Sequence, residues 1–344
     1  MMPPDLPALN TLSARIGADR LLTQGAGGNT SLKDEGVMWI KASGTWLAHA
    51  ADKPIMVPVD LAPLGEALAA DDIAAENCVA FVRQELNPGG LRPSIETSVH
   101  ATMPHRVVVH VHCVATIAWS VRPDVEAALA EPLLGLSWRF VPYSKPGLSL
   151  ARAMRAVGAA EADVLVLGNH GLVVAAADVA AADMLLGEVV ERLQRPVRER
   201  PAGQTDHLAR LAHGTAFVPA TETTVHGLAT DPFSLEVATG GSLYPDHVIF
   251  LSPGAVALGD GETVDEAVAR SGRPNLPMLL VPGAGTLLRA DASAGALAMA
   301  GCLADVTARL PEGEQAHTLS RAEEAELLDW DAEKYRQALD KPAP

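Results

Sequence analysis

A run of apolar residues interrupted by two histidines most constrains what this chain can fold into. The run extends from Val107 to Cys113 and consists mainly of valines, with His110 and His112 among them. Such a β-branched run is typical of a buried strand. Residues two apart in a strand lie on the same face, so both imidazoles should point one way and the alternate valines the other. The sequence therefore predicts a rigid strand that carries two neighbouring imidazoles.

Two neutral imidazoles held side by side form two-thirds of a three-histidine zinc site. The alternative is a pair of hydrogen-bonded core histidines, because a buried imidazole needs a polar partner. A third histidine, His170, lies in the turn Gly168–Gly171, between the apolar segments Asp163–Leu167 and Leu172–Ala176. Loops on rigid scaffolds often carry functional residues, which makes His170 a candidate third ligand.

A carboxylate precedes the histidine pair. Glu96 lies in Ile95–Met103, whose pattern suits a short helix with Ser94 or Thr97 as its cap and Pro104 as its end. A carboxylate beside a divalent cation could be a fourth ligand or a base that is displaced when substrate binds. Taken alone, a solvated helix residue is the alternative interpretation of Glu96.

A glycine-rich turn, Gly25–Gly28, follows a helical pattern over Leu6–Leu22 and precedes a hairpin of Thr30–Lys33 and Met38–Lys41. Its consecutive amides could form an anion-binding nest, or the glycines could simply join a helix to a strand. No Gly-Lys-Ser/Thr follows, so the turn is not a nucleotide-binding P-loop.

Composition excludes several classes of function. The formal charge of −16 and the sequence pI near 5.0 argue against nucleic-acid binding, which needs a basic surface. The three cysteines are far apart and predict reduced core residues. The N-terminus does not resemble a signal peptide, and no apolar stretch approaches the roughly 20 residues that span a bilayer. We therefore expect a cytoplasmic protein with no membrane partner.

The length of 344 residues predicts two domains, 1–198 and 206–344, joined by the charged, Pro- and Gly-bearing segment Arg195–Thr205. Further elements are predicted from apolar spacing. They are a helix over Ala74–Gln84, strands over Leu243–Leu251 and Leu276–Pro282, and a helix over Asp291–Leu310.

Five spaced motifs, GAGGNTS, WIKASG, PSIET, HVH and GNHGL, occur in the order found in the class II aldolase and adducin superfamily. The resemblance covers about residues 8–200. It implies an α/β fold of three α/β/α layers around a mostly antiparallel sheet, followed here by a smaller C-terminal α/β domain. It also implies Zn²⁺, or another divalent metal, on His110, His112 and His170, with Glu96 beside the metal as the catalytic acid/base.

In phosphate-handling members of this superfamily, three of these motifs hold the substrate phosphate. The matching residues here are Gly28, Asn29, Ser43, Gly44 and Ser94. The chain departs from the pattern at Ile95, where these enzymes have a second serine that donates to the anion.

The resemblance implies a homotetrameric aldolase that cleaves a ketose phosphate into dihydroxyacetone phosphate and an aldehyde. Epimerases of the superfamily usually carry Asp where Glu96 stands, so Glu96 favours carbon–carbon cleavage. The resemblance also admits a 3-keto-acid phosphate decarboxylase or a non-catalytic, adducin-like binding module.

The C-terminal half resembles a specific set of longer relatives. PDHVIF, LVPGAG and LLDWDAEKYRQAL occur in the linker domain of rhamnulose-1-phosphate aldolase/alcohol dehydrogenase fusions. A short-chain dehydrogenase domain follows in those proteins, and we expect it to be absent here because the sequence stops at Pro344. The Gly-x-Gly within Leu280–Leu288 lacks the third glycine of a dinucleotide loop.

Overall fold

The short apolar runs of the N-terminal half pair into one seven-stranded sheet. The structure is a computed structural model, and it describes residues 2–340. The strands of this sheet are β1 Asn29–Asp34, β2 Val37–Lys41, β3 Met56–Asp60, β4 Val107–Val111, β5 Trp138–Val141, β6 Val164–Leu167 and β7 Gly171–Ala176. They lie in the order β3-β2-β1-β4-β7-β6-β5, and only β5 and β6 run parallel. The predicted mostly antiparallel sheet is confirmed.

The predicted histidine strand lies at the centre of this sheet, between β1 and β7. Its register places His110 opposite Asn29 on one side and opposite Val173 on the other. The strand ends at Val111, so His112 lies just beyond it, and the sequence pattern overestimated its length by two residues. Asn29 and the histidines are thus brought together by strand pairing.

Helices cover both faces of the sheet and make it the middle of three layers. They are α1 Leu6–Ala18, α2 Leu61–Ala69, α3 Thr97–Thr102, α4 Val114–Ser120, α5 Val125–Leu129, α6 Leu148–Ala156 and α7 Val179–Arg192. One apolar core joins α1 and α7 to the odd-numbered valines of β4, and a second joins α2, α3 and α6 to Val108. The alternation of β4 therefore divides its side chains between two cores, as its sequence predicted.

The helix predicted over Ala74–Gln84 is wrong. The segment forms short 3-10 turns instead, and Val79 is 37% exposed. Asn77 interrupts the helical path because its side-chain oxygen accepts a hydrogen bond from Val79 N at 3.4 Å. Asparagine favours such local bonds over helix continuation, and an apolar spacing count does not register them.

The chain divides into two compact units. The first comprises the residues up to Ser120 and Asp124–Gln194, and the second comprises Val121–Pro123 and the residues from Arg195 onward. The second unit contains a four-stranded sheet in the order β8-β11-β10-β9, with β8 Phe217–Pro219, β9 Val256–Ala257, β10 Met278–Val281 and β11 Gly285–Arg289. Its helices are α8 Thr205–Ala212, α9 Gly227–Thr230, α10 Pro232–Thr239, α11 Pro245–Leu251, α12 Val264–Ser271, α13 Ala294–Arg309, α14 Arg321–Leu328 and α15 Asp331–Asp340. The expected C-terminal α/β architecture is present.

The strand predicted over Leu243–Leu251 is also wrong, because this segment contains helix α11. Pro245 occupies the first turn of that helix. Proline fits there without loss of a hydrogen bond, but it removes a donor from a strand ladder. The strand predicted over Leu276–Pro282 and the helix over Asp291–Leu310 are found as β10 and α13. Among residues 2–340, no helix is both long and apolar enough to cross a membrane.

Replacement of Gly171 by alanine should destabilise the N-terminal unit. A Cβ atom there would lie 2.4 Å from the carbonyl oxygen of Val111, at the point where β7 meets β4. We expect a loss of about 1–3 kcal/mol in the free energy of unfolding, measured by urea denaturation. Gly187→Ala on α7 is the control: it meets no atom within 4 Å, and alanine should stabilise that helix by about 1 kcal/mol. Equal effects of both variants would contradict the packing argument.

Acid should destabilise the second unit through His247. Burial of this imidazole, with the charge of Arg273, lowers its pKa from 6.5 to about 3. The unfolded chain then binds one more proton between these pH values, so stability is complete above pH 6.5 and falls towards pH 3. His247→Asn keeps an acceptor for Leu243 N, which donates to His247 Nδ1. We expect this variant to reduce the slope of unfolding free energy against pH by about 1.4 kcal/mol per unit; an unchanged slope would refute the assignment.

Candidate metal centre

Four side chains that sequence analysis singled out separately come together at one place in the N-terminal unit. Each of Glu96, His110, His112 and His170 offers one ligand atom, and these atoms all lie within 4.8 Å of one another. The three imidazole centroids are 4.9–5.1 Å apart. All four residues are buried, with at most 6% of each exposed. The arrangement is a closed group of nitrogen and oxygen donors that could hold a metal ion.

The turn before β7 carries His170 into this group. Asn169 adopts a left-handed conformation with φ of 52°, which asparagine tolerates better than most residues. Gly168 packs closely, since a Cβ there would lie 2.9 Å from Tyr143 N. The residues Gly168–Gly171 are therefore suited to a tight turn that delivers an imidazole from the end of β6.

Glu96 lies where the chain enters helix α3. Its Oε2 is 3.4 Å from His110 Nε2, and its Oε1 is 3.5 Å from His170 Nε2. Asn29 Nδ2 donates a hydrogen bond to Glu96 Oε2 at 2.8 Å. The solvated-residue interpretation of Glu96 is therefore wrong, because the carboxylate is buried against two imidazoles.

Opposing effects set the pKa of Glu96. Burial alone would raise this pKa. The positive charges that His110, His170 and His112 can carry lower it, as does the hydrogen bond from Asn29, and the resulting pKa is about 2. The carboxylate is thus the preferred form, which suits metal ligation.

The donor set fits a divalent metal ion. His110 Nδ1 lies 3.0 Å from the carbonyl oxygen of Leu172. A carbonyl only accepts, so Nδ1 carries the hydrogen and the lone pair of Nε2 is directed away from it, towards Glu96. Such a backbone hydrogen bond is the usual way in which a protein orients a metal-ligating histidine. A set of imidazoles with one carboxylate suits zinc and other late divalent metals.

The candidate anion-binding residues lie beside this centre. Ser94 N donates to the carbonyl oxygen of Lys41 at 3.0 Å, and Ser43 N donates to that of Arg92 at 2.9 Å. These bonds join the end of β2 to the segment that leads to Glu96. Ser43 Oγ is buried and makes no hydrogen bond to any of residues 2–340, so it is available to a ligand.

Gly28 and Asn29 complete the group from the start of β1. Gly28 has φ of +65°, and a Cβ there would lie 2.9 Å from the carbonyl oxygen of His110. The glycine therefore permits the close approach of this turn to β4. Asn29 Nδ2 also lies 3.2 Å from Ser94 Oγ, so one amide contacts both the anion side and the carboxylate. Gly44, with φ of 74°, shapes the turn after Ser43.

Sequence analysis missed His100, which is fully buried beside these residues. Its Nε2 contacts Asn29 Oδ1, and its Nδ1 lies 2.7 Å from Ser31 Oγ. A signal was present: His100 follows Glu96 by four residues, a spacing that places two residues on one side of a helix. That signal alone does not distinguish a site residue from a core histidine.

Comparisons with known proteins identify the family of the N-terminal unit. Residues 11–195 match the family described as "Class II Aldolase and Adducin N-terminal domain", so the chain belongs to this family. It is 33% identical over 187 residues to the uncharacterized oxidoreductase YuxG of Bacillus subtilis (strain 168), a match that covers 50% of this chain. The match covers only 26% of YuxG, so the chain spans about a quarter of that relative.

Two solved structures are also similar to part of this chain. The N-terminal class II aldolase domain of a conserved protein from Thermoplasma acidophilum is 26% identical, with a TM-score of 0.48, over 56% of this chain and 93% of that one. L-fuculose-1-phosphate aldolase from Thermus thermophilus is 18% identical, with a TM-score of 0.40, over 56% and 92%.

Replacement of His112 by alanine should abolish stable metal binding. A site that loses one of three imidazoles retains too few nitrogen donors for tight zinc binding. We expect the wild type to retain about one zinc ion per chain after dialysis and the variant to retain a small fraction of that, measured by elemental analysis. His49→Ala, at an exposed histidine outside the cluster, is the control and should leave zinc content unchanged. Equal metal content in all three proteins would place the metal elsewhere.

Proposed function

We propose that this protein is a zinc-dependent class II aldolase that cleaves a ketose phosphate into dihydroxyacetone phosphate and an aldehyde. One observation carries the proposal: the buried Glu96 carboxylate lies against His110 and His170 and is joined through Asn29 to Ser94. A proton-transfer group thus lies between three candidate metal ligands and the candidate anion-binding residues. Membership of the class II aldolase and adducin family supports the same chemistry.

The candidate anion-binding residues would fix one end of the substrate. Backbone amides of the turn that ends at Gly28, together with the hydroxyls of Ser43 and Ser94, would donate to the phosphate oxygens. Ile95 supplies no hydroxyl, so this cradle has one donor fewer than that of phosphate-handling relatives. The net charge of −16 offers no long-range attraction to an anion, so these local donors must supply the affinity.

His110, His112 and His170 would hold the zinc ion, which supplies Lewis-acid polarisation of the substrate carbonyl when bound. In cleavage, the hydroxyl next to the scissile bond loses its proton and becomes the aldehyde carbonyl. The electron pair of the broken carbon–carbon bond stays with the phosphate-bearing fragment. The Glu96 carboxylate takes up one proton as the hydroxyl loses one, and it then delivers that proton to the carbon that held the bond, so no net proton is gained or lost; in the reverse, bond-forming direction it removes the proton from that carbon.

The carboxylate form of Glu96 suits this role. Its lowered pKa keeps it in the carboxylate form at neutral pH, the form that has a vacant position for a proton. Its position against His110 and His170 would place it next to the polarised carbon atoms. The homotetramer and the cytoplasmic location implied by the resemblance belong to this proposal as well.

Glu96→Gln tests the proposal. The amide has nearly the same shape but cannot transfer the proton, so we expect kcat for release of aldehyde and dihydroxyacetone phosphate to fall by about 10²–10⁴-fold. The assay uses zinc-loaded protein and a panel of ketose 1-phosphates that includes L-fuculose and L-rhamnulose 1-phosphate. Glu66→Gln, at an exposed carboxylate on α2, should leave kcat unchanged.

The products distinguish the competing activities. A change of configuration without free aldehyde would identify a sugar-phosphate epimerase, and release of carbon dioxide would identify a 3-keto-acid phosphate decarboxylase. A wild-type protein that binds no metal and cleaves nothing would be an adducin-like binding module. Each of these outcomes overturns the aldolase assignment.

A further inference from the structure

A chain of four buried polar side chains runs from β1 to the candidate metal centre. Ser31 Oγ lies 2.7 Å from His100 Nδ1, His100 Nε2 contacts Asn29 Oδ1, and Asn29 Nδ2 lies 2.8 Å from Glu96 Oε2. No more than 4% of any of these residues is exposed. In such a dry environment each hydrogen bond is strong and each misdirected group is costly.

The carboxylate of Glu96, together with a neutral His100, fixes the direction of every hydrogen bond in this chain. The Glu96 carboxylate can only accept, so the amide nitrogen of Asn29 must face it. The amide oxygen of Asn29 then faces His100, whose Nε2 must carry the hydrogen. His100 Nδ1 consequently accepts, and the hydroxyl of Ser31 donates to it. A neutral His100 satisfies all of these bonds, and burial keeps it neutral by lowering its pKa to about 3.

An unsupported Asn29 could rotate its amide by half a turn and exchange its oxygen with its nitrogen. The oxygen would then face the carboxylate of Glu96, and two acceptors would repel each other. The Nε2–H group of His100 opposes this rotation because it donates only to the amide oxygen. The same amide orientation directs Asn29 Nδ2 to Ser94 Oγ, 3.2 Å away.

We propose that His100 is a positioning residue which, through Asn29, holds the Glu96 carboxylate in place beside His110 and His170. The inference deepens the proposed function and rests on it for the catalytic role of Glu96. His100 itself touches neither the three histidines nor substrate in this scheme. It acts by selecting one orientation of one amide, and Ser31 in turn holds the imidazole ring of His100 through a hydrogen bond to Nδ1.

The test measures cobalt(II) affinity and kinetics for His100→Leu and His100→Gln. Loss of a hydrogen-bond partner behind a metal site typically costs about 10–100-fold in metal affinity or activity. We expect His100→Leu to weaken cobalt binding or lower kcat by about that factor, with KM changed by less than about threefold. His100→Gln supplies an amide donor near the position of Nε2 and should recover most of the loss.

A double-mutant cycle shows whether His100 acts through Asn29. In an Asn29→Ala background the amide is already gone, so His100→Leu should have no further effect on cobalt affinity or kcat. Independent, additive losses would overturn the proposal. Unchanged cobalt affinity together with unchanged kcat in folded His100→Leu would overturn it as well.

A second comparison applies if His100→Leu does not fold. Ser13 Oγ and Thr30 Oγ1 form a buried 2.7 Å hydrogen bond, next along β1 from the 2.7 Å bond of Ser31 to His100. Ser31→Ala should therefore impair cobalt binding or kcat, while the matched Ser13→Ala should not. Equal effects of the two variants would show that His100 is only a core residue.

The proposed function and the role of His100 can fail separately. If the wild type binds cobalt but cleaves no ketose phosphate, only the proposed function fails, and cobalt affinity still decides the role of His100.

Discussion

The hydrogen bond from Asn29 to Glu96 is the interaction on which the rest of the site depends. A carboxylate buried to this degree is costly unless charged and polar partners surround it. Glu96 meets this requirement with two imidazoles at 3.4 and 3.5 Å and one amide at 2.8 Å. These partners come from β1, β4 and the turn before β7, so the carboxylate is stable only if all three are correctly placed.

The apolar cores enforce that placement. Pairing of Asn29 with His110 and of His110 with Val173 sets the register of the three central strands. A slip of one residue would turn the odd-numbered valines of β4 out of their core and turn His110 towards the α1 and α7 side. Hydrophobic burial on one face of β4 therefore fixes the position of an imidazole on the other. Gly28 and Gly171 also help to place the histidines, because each leaves room for backbone atoms of β4 at the edges of the centre.

The same alternation explains why much of the site could be predicted from sequence. In β4, His110 lies within a run of valines. The run therefore predicts both a strand and the face of that strand on which the imidazole lies. The prediction failed where one residue overrides the apolar pattern, as Asn77 and Pro245 do. His100 escaped notice for a different reason. The role that we propose for it depends on which side of the Asn29 amide it contacts, and that is a property of tertiary contacts that no local spacing records.

Asn29 also connects the two halves of the proposed reaction. Its Nδ2 atom lies 3.2 Å from Ser94 Oγ and 2.8 Å from Glu96 Oε2, so both hydrogens of one amide are engaged. The Asn29 side chain is then best suited to orient Ser94 towards an anion, while direct donation in the proposed reaction falls to the hydroxyls of Ser43 and Ser94 and the amides of the glycine-rich turn. A change at the anion side that moves Ser94 must also disturb the donor of Glu96. In the proposed reaction, substrate anchoring and proton transfer therefore share one rigid group, and we infer that His100 sets its orientation.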